Sequence, residues 1–578
     1  MVWQAWMTLL VLISVLAFAY KDHNRAWRYF IVGAVLLYLT GVNSVEDSFQ
    51  GILNEGVLTL IVMLVISKSL FEAGLIDGLV KALLPSKWQG AVGFSLRVLM
   101  PVALISGVLN NTPVVALLIQ PIRQWARKNN LEAHQFLLPL SYAAIVGGTL
   151  TLVGTSTNLV VLGLLQSHQV EHGLSLFSPA IVGFPILVVT IAYFVFLIRQ
   201  LKLKSGSEPL PQHGNYLFRA TLTNSDFVGK SLIDAGLRQL ENGYLYQIQR
   251  KNGDVIDAAS QTLILKGDEL HFSGSPHLGN ELAQLNMSIN ELPNQAELNF
   301  YEVIVPSSSG LAGKTPKEID FRESYNASIV SVAHQDKSIL GRIGEWNIQP
   351  GDMMVLCAGP HWSNSNAARD FQLLSQSQVK QTKAALVQAC SIIGLLAAIF
   401  IGAFTSVGLL KATSIYLIML LLLNITTPKN AVQQLPYDLL LVIIASLAIA
   451  KASVDSGLAM SAVEVLRPLI NGPITSLVSI YIATWLLTEL LTNNAAAAIM
   501  LPFALAIGDV SGLSVDQVAL TVMIAASSSF ISPFGYQTNL MVMAPGNYTP
   551  SDYFKSGLPL LCLTAAVTVS IVFLLGRF

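Results

Sequence analysis

Two blocks of six apolar runs constrain this chain more than any other feature. They fall at about 5 to 20, 27 to 42, 56 to 80, 98 to 122, 135 to 165 and 176 to 198, then at about 384 to 404, 408 to 424, 436 to 460, 474 to 506, 516 to 545 and 556 to 576. Segments of that length suit a hydrocarbon layer about 30 Å thick, where a helix satisfies its own backbone hydrogen bonds. The expected fold class is a polytopic α-helical membrane protein, with the lipid bilayer as its first partner. A composition of 53% hydrophobic and 12% charged residues excludes an ordinary soluble chain of this size. Net charge is −1, so no basic field argues for nucleic acid. Cys357, Cys390 and Cys562 lack metal-ligand spacing and read as small buried hydrophobes. The first run, from Met7 to Tyr20, has neither a basic leader nor a small-residue cleavage site and reads as a retained span.

The two blocks resemble each other residue by residue. Lys68, Glu72, Gly74 and Leu75 recur as Lys451, Asp455, Gly457 and Leu458; the Asn110 and Asn111 pair recurs as Thr492 and Asn493. Gly154 recurs as Gly535, and Thr157, Asn158 and Leu159 as Thr538, Asn539 and Leu540, with all offsets between 381 and 383. A duplicated core of this kind is the mark of a transporter built from repeats. The expected layout is membrane repeat 1 at 1–201, with a hairpin at about 97–123 and a broken helix at about 135–165. Two α+β lobes follow at 206–290 and 296–376, then membrane repeat 2 at 381–578, with its hairpin at about 474–508 and broken helix at about 516–545.

Basic residues orient the chain. If the fourth run of each half is a re-entrant hairpin, each half crosses five times and the repeats are inverted. The inner loops then hold Lys21, Arg25, Arg28, Lys81, Lys87, Arg97, Arg123, Arg127, Lys128, Arg199, Lys202, Lys204, Lys380, Lys383, Lys429 and Lys555. Outer segments hold only Lys411, Arg467 and Arg577, so the cell (plasma) membrane protein is expected to keep its lobes in the cytoplasm and both termini outside. Lys68 and Lys451 read as snorkelling residues near span ends, paired with Glu72 and Asp455.

Polar residues break the fourth and fifth runs of both halves. In the fourth, Ser106, Asn110, Asn111, Thr112 and Pro113 answer to Thr488, Thr492, Asn493 and Asn494. From Arg97 to Asn110 is roughly 20 Å of helix, which places the paired amides near the membrane midplane. In the fifth, Gly154, Thr155, Thr157 and Asn158 answer to Gly535, Tyr536, Thr538 and Asn539, a pattern that breaks a helix where backbone lines a cavity. Uncapped helix ends direct N–H groups toward an anion and carbonyls toward a cation. Asparagine serves both, since its amide carries donors and an acceptor. Ser106 and Thr488 stand about a turn before their tips, positioned to add hydroxyl oxygens to two cation sites near Gly154 and Gly535. The four motifs contain no Arg, Lys, His or Asp, and Glu489 is their only carboxylate. A divalent anion held there needs co-bound cations, and sodium is favoured over protons because no proton carrier lines the motifs.

These motifs resemble those of the divalent anion/sodium symporters of the ion-transporter superfamily, which carry a Ser-Asn-Thr tip in each of two opposed hairpins and a Gly-Thr-Pro-Pro-Asn-like break after each. The resemblance covers about 400 membrane residues. It implies sodium at Ser106, Asn111 and Gly154 and at Thr488, Asn493 and Gly535. It also implies anion contacts from Asn110, Asn111, Thr112, Asn158, Asn493, Asn494, Thr538 and Asn539, and a homodimer working as an elevator. Asn494 replaces the usual threonine and Tyr536 a small residue, changes that favour sulfate or a similar small oxyanion over a succinate-like dicarboxylate.

The inserted lobes resemble the TrkA C-terminal domains of bacterial potassium-uptake subunits, which implies a possible small-molecule regulator. Gly229, Lys230 and Ser231 recur as Gly313, Lys314 and Thr315, and Gly267 and Asp268 as Gly351 and Asp352, at an offset of 84. A P-loop needs glycine at 224 and 308, where Asn224 and Ser308 stand, so nucleotide hydrolysis is not expected. A lobe-regulated cation channel is the reading from another class, but no Thr-Val-Gly-Tyr-Gly-like filter occurs. With no nucleophile–base pair or metal triad in the core motifs, the chain does not read as an enzyme.

Overall fold

The computed structural model describes residues 3–22, 25–72, 83–167, 170–201, 385–423, 425–427, 435, 437–467 and 472–576, together with most of 217–376. Gly74, Leu75, Lys81, Lys202, Lys204, Asn224, Ser308, Lys380, Lys383, Lys429 and Arg577, used above for repeats, orientation or motif tests, lie outside the described residues. The chain divides into two compact units. The first is Met1–Lys204, Gln381–Val542 and Pro550–Phe578; the second is Ser205–Lys380 with Met543–Thr549.

The first half of the membrane unit runs α1 (Trp3–Lys21), α2 (Ala26–Leu39), α3 (Val45–Leu53), α4 (Glu55–Glu72), α5 (Gly90–Phe94), a π-helical turn (Ser95–Leu99), α6 (Met100–Ser106), α7 (Asn111–Lys128), α8 (His134–Gly148), α9 (Ser156–Ser167) and α10 (Ala180–Leu201). The first hairpin arm thus begins at Gly90, before the expected residue 97, because Ala91 and Phe94 already carry a buried apolar stripe. Short α3 lies outside the apolar runs. Its start is written locally, in a reciprocal capping box between Ser44 and Asp47.

The second half runs α11 (Ala385–Phe404), α12 (Leu409–Leu422), α13 (Tyr437–Asp455), α14 (Leu458–Leu466), α15 (Pro473–Leu490), α16 (Asn493–Ser511), α17 (Val515–Ser527), α18 (Gln537–Gly546) and α19 (Pro550–Leu575). Its turns are specified the same way: Gly457 and Gly512 take left-handed φ of 71° and 70°, and Ser514 forms a capping box with Gln517. Lys451 pairs with Asp455 at 3.0 Å.

Among the described residues, seven helices are long and apolar enough to cross a membrane, and shorter apolar helices accompany them. The outer helices expose large apolar side chains, including Leu10, Leu39, Phe400, Phe404 and Leu422, as hydrocarbon contact requires. Inside, packing follows one scheme in both halves. Helices α6, α7 and α10 surround α8, while α15, α16 and α19 surround α17. Close approach is built with small residues: a Cβ on Gly147 would lie 2.1 Å from the Ala103 carbonyl oxygen, so only glycine lets α6 and α8 touch there. Consequently α8 and α17 are buried along nearly their whole length, as the walls of a site must be.

The second unit holds two five-stranded antiparallel sheets. Strands β1 (Leu217–Leu222), β2 (Gly243–Gln249), β3 (Val255–Asp257), β4 (Glu269–Gly274) and β5 (Met287–Glu291) form one, in the order β3-β2-β4-β1-β5. Strands β6 (Phe300–Ile304), β7 (Ala327–His334), β8 (Lys337–Ile339), β9 (Met353–Ala358) and β10 (Gln372–Gln376) form the other, in the order β10-β6-β9-β7-β8. Read strand for strand, the two orders are the same. Gly229 and Gly313 sit at φ of 87° and 80° and donate to the Ile264 and Ile348 carbonyls, both at 2.8 Å. Ser231 and Thr315 then accept from the peptide N–H three residues on, each at 3.2 Å. The Gly-Lys-Ser triplet is therefore a turn whose hydroxyl is occupied by its own backbone.

Candidate functional site

In the first half, α6 ends at Ser106 and α7 begins at Asn111. Asn110 makes the reversal at φ −56° and ψ 137° with no side-chain cap, so its amide is not used to close the helix. Pro113 falls in the first turn, where its missing N–H costs nothing. Ser106 donates its hydroxyl hydrogen to Asn111 Oδ1 at 2.6 Å. The break between α8 and α9 is held against this tip: Thr151 donates to the Gly107 carbonyl at 2.5 Å and accepts from Gly154 N–H at 3.0 Å. A Cβ on Gly154 would stand 2.6 Å from Gly148 O and 3.1 Å from Gly107 O, and one on Gly148 would stand 2.9 Å from Asn111 Nδ2. Ser106, Asn111 and Gly154 thus meet through a seam of glycine backbone whose carbonyl oxygens lie at their side.

The second half repeats the arrangement. Thr492 caps α16, accepting from Ala495 N–H at 3.4 Å. The Thr488 hydroxyl lies 2.9 Å from Asn493 Oδ1 and 2.7 Å from the Ala526 carbonyl. Hydroxyl and asparagine are five residues apart in both tips. A Cβ on Gly535 would stand 2.0 Å from Ser529 Oγ and 2.9 Å from Glu489 Oε2, so the break between α17 and α18 presses on the end of α15.

Asn158 and Asn539 are placed differently from the other amides. Asn158 Nδ2 donates to the Thr151 carbonyl at 2.8 Å, and Asn539 Nδ2 donates to the Ser532 carbonyl at 3.1 Å, in each case seven residues back. Asn539 also bonds Ser529 O at 2.9 Å. Both close the loop that precedes their helix and so position the break. Ser141, in uninterrupted α8, donates to Asn539 Oδ1 at 2.7 Å and lies 2.9 Å from Thr538 Oγ1. No motif marks Ser141; only its place in a wholly buried helix gives it away.

Each tip meets the break of the other half. Asn111 Nδ2 donates to the Tyr536 hydroxyl at 2.6 Å, and Thr112 donates to Gln537 Oε1 at 3.3 Å. Reciprocally, Thr157 donates to Asn494 Oδ1 at 3.2 Å. Tyr536 also interacts with Thr155, which joins the two crossings. The N-termini of α7, α9, α16 and α18 therefore gather around one cluster of hydroxyl and amide groups, while α6, α8, α15 and α17 end beside it. Positive dipole ends and free N–H groups suit an anion at the centre; carbonyl ends and neutral oxygens suit small hard cations at the flanks. Among the described residues of the two tips and breaks, Asn158 Oδ1, Ser527 Oγ, Ser529 Oγ and Glu489 Oε2 are buried without a hydrogen-bond partner.

Comparisons with known proteins bear on the class of the chain. A family profile described as CitMHS, citrate transporter, matches residues 9–526. A Chlamydomonas reinhardtii protein named for a sulfur deprivation response is 30% identical over 93% of this chain and 96% of its own. An uncharacterized transporter of Synechocystis is 28% identical over 94% of this chain and 93% of its own. Sodium/sulfate cotransporter 1 of Chlamydomonas reinhardtii is 22% identical over 91% of this chain and 85% of its own. Helices able to span a bilayer, a polar site closed by four helix starts and a profile match over most of the chain lead to one conclusion: this protein is a multi-pass membrane transporter, not an enzyme, and belongs to the CitMHS citrate transporter family.

Proposed function

We propose that the protein is a sodium-coupled symporter for a divalent anion, with sulfate or a similar small oxyanion as the preferred substrate. The observation that carries this reading is the reciprocal crossing of tips and breaks, Asn111 with Tyr536 and Thr157 with Asn494. It collects neutral donors and, among the described residues, no fixed positive side chain where an anion would bind. A divalent anion brought to membrane depth costs many kcal/mol unless its charge is matched. Two sodium ions, one at Ser106, Asn111 and Gly154 and one at Thr488, Asn493 and Gly535, offset it together with the positive helix N-termini that face the centre. Either ion alone leaves the site short of charge, so anion and cations travel together.

In this reading Asn110, Asn111, Thr112, Asn493, Asn494 and Thr538 contact the anion, while Asn158 and Asn539 hold the breaks in place. The name of the sodium/sulfate cotransporter relative supports both ions. The two halves act as inverted repeats within a homodimer, the hairpin-bearing part moving as an elevator. The two sheets act as TrkA-C-like cytoplasmic regulatory lobes, with both termini outside. The family's description favours a second reading, a citrate-like or succinate-like carboxylate. Tyr536, whose hydroxyl stands directly between Asn111 and Thr155, favours the smaller anion.

Equilibrium binding of labelled sulfate to the purified chain separates these possibilities. Binding is expected in sodium and not in potassium or choline, with excess unlabelled sulfate competing more strongly than succinate or citrate. Sodium-independent binding would end the coupling claim, and stronger competition by the carboxylates would transfer the site to them.

A further inference from the structure

The two cation sites differ most sharply at one residue. At an offset of 382, Ser106 answers to Thr488 and Asn111 to Asn493, but Gly107 answers to Glu489. The first site is therefore neutral and the second carries a carboxylate at the end of α15.

That carboxylate is only half satisfied. Trp485 Nε1 donates to Oε1 at 3.3 Å, whereas Oε2 is buried with no hydrogen-bond partner. Fully buried Ser529 and the Ile531 peptide N–H both interact with the carboxylate, but the Ser529 hydroxyl forms no hydrogen bond of full geometry. Both atoms converge on Gly535. A Cβ there would stand 2.0 Å from Ser529 Oγ and 2.9 Å from Glu489 Oε2, so glycine keeps the space between them free. One residue away, the Thr488 hydroxyl is fixed between Asn493 Oδ1 and the Ala526 carbonyl. A buried carboxylate oxygen and a buried hydroxyl, both without a hydrogen bond of full geometry and converging beside peptide carbonyls, describe a hard monovalent cation site lacking its ion.

We propose that Glu489 and Ser529 are ligands of the second sodium ion, which makes that site anionic and the first to fill. This rests on the sodium-coupled reading above and extends it. With sodium absent, the Glu489 charge opposes a divalent anion across the tip; sodium bound there cancels that charge, and the first sodium and the four helix N-termini are left to meet the two charges of the substrate. Cation before anion follows from one side chain.

The test uses the full purified chain without any anion, titrated with sodium at constant ionic strength against potassium and read as the thermal unfolding midpoint. Wild type is expected to show a saturable, sodium-specific rise. Glu489→Gln, nearly the same in shape, is expected to need about tenfold or more sodium for half the effect, since the charged ligand is gone from a low-dielectric site. Ser529→Ala, which leaves the charge intact, is expected to raise the half-saturating sodium by about threefold or more, and it decides the matter if the glutamine variant does not fold. A sodium midpoint unchanged in either folded variant overturns the assignment, as does a response to acid that replaces the response to sodium. A wild-type chain blind to sodium overturns the coupling reading and this assignment together.

Discussion

Asn111 has the most demanding position in the molecule. Its Oδ1 receives the Ser106 hydroxyl and its Nδ2 reaches across to Tyr536, so one amide joins a cation ligand to the opposite half. Asn111→Ala is expected to reduce sodium-dependent uptake by at least about tenfold while leaving a folded protein, because two buried hydrogen bonds at about 1 kcal/mol each and a cation ligand go together. Asn493→Ala is expected to behave alike; near-normal uptake in either variant means that tip is not a site. Tyr536→Phe removes the hydroxyl that accepts from Asn111 and interacts with Thr155, so an Asn111 N–H loses its partner and weaker substrate binding with unchanged fold is expected, read as a raised KM. The tips were legible in the sequence because paired amides and glycines inside apolar runs have few inexpensive structural uses. Ser141 was not legible, since a lone serine in a buried helix looks like any other. Asn158 and Asn539 mark the opposite difficulty. Residue type suggested ligands and could not show that each amide nitrogen also bonds a carbonyl seven residues back, a relation set by loop geometry.

At the scale of elements, the breaks and turns were readable as places but not as partners. Glycine and proline located the ends of α8 and α17, yet nothing local could pair Asn111 with a tyrosine 425 positions away. Such pairings are decided by packing over the whole unit. The braces give a testable consequence: Asn158→Ala is expected to cost about 1–2 kcal/mol and to speed hydrogen exchange across residues 149–158, with α9 beyond it unchanged. Unaltered exchange there would leave the amide without a bracing role. In the first sheet, His271 on β4 is buried with neither ring nitrogen partnered, and burial, helped by the Arg219 charge, pushes its pKa down to about 4. The unfolded chain therefore binds a proton that the folded sheet refuses, so stability is full above about pH 6.5 and declines as pH falls toward 4, by about 3 kcal/mol in all. Protection of β4 amides, corrected for the slower intrinsic exchange at lower pH, should fall between pH 7 and pH 5; His271→Gln should remove that fall.

At the scale of the molecule, the two units are expected to be separable in function. The membrane unit contains every residue assigned to the ions and the substrate, so deleting residues 206–375 is expected to alter regulation or stability and to leave sodium-dependent binding intact. A folded, truncated core unable to bind substrate would contradict that division. Membrane class and family were readable from the chain alone, because hydropathy and short motifs are local; the meeting of the two halves is not local and needed coordinates. Coupling itself is best read in proteoliposomes holding the purified chain, with labelled sulfate outside and the cation gradient as the only variable. Uptake above the equilibrium level under an inward sodium gradient, absent when potassium or choline replaces sodium, is the expected result. Equal uptake under all three cations would contradict a site whose anion is admitted only by its co-bound sodium.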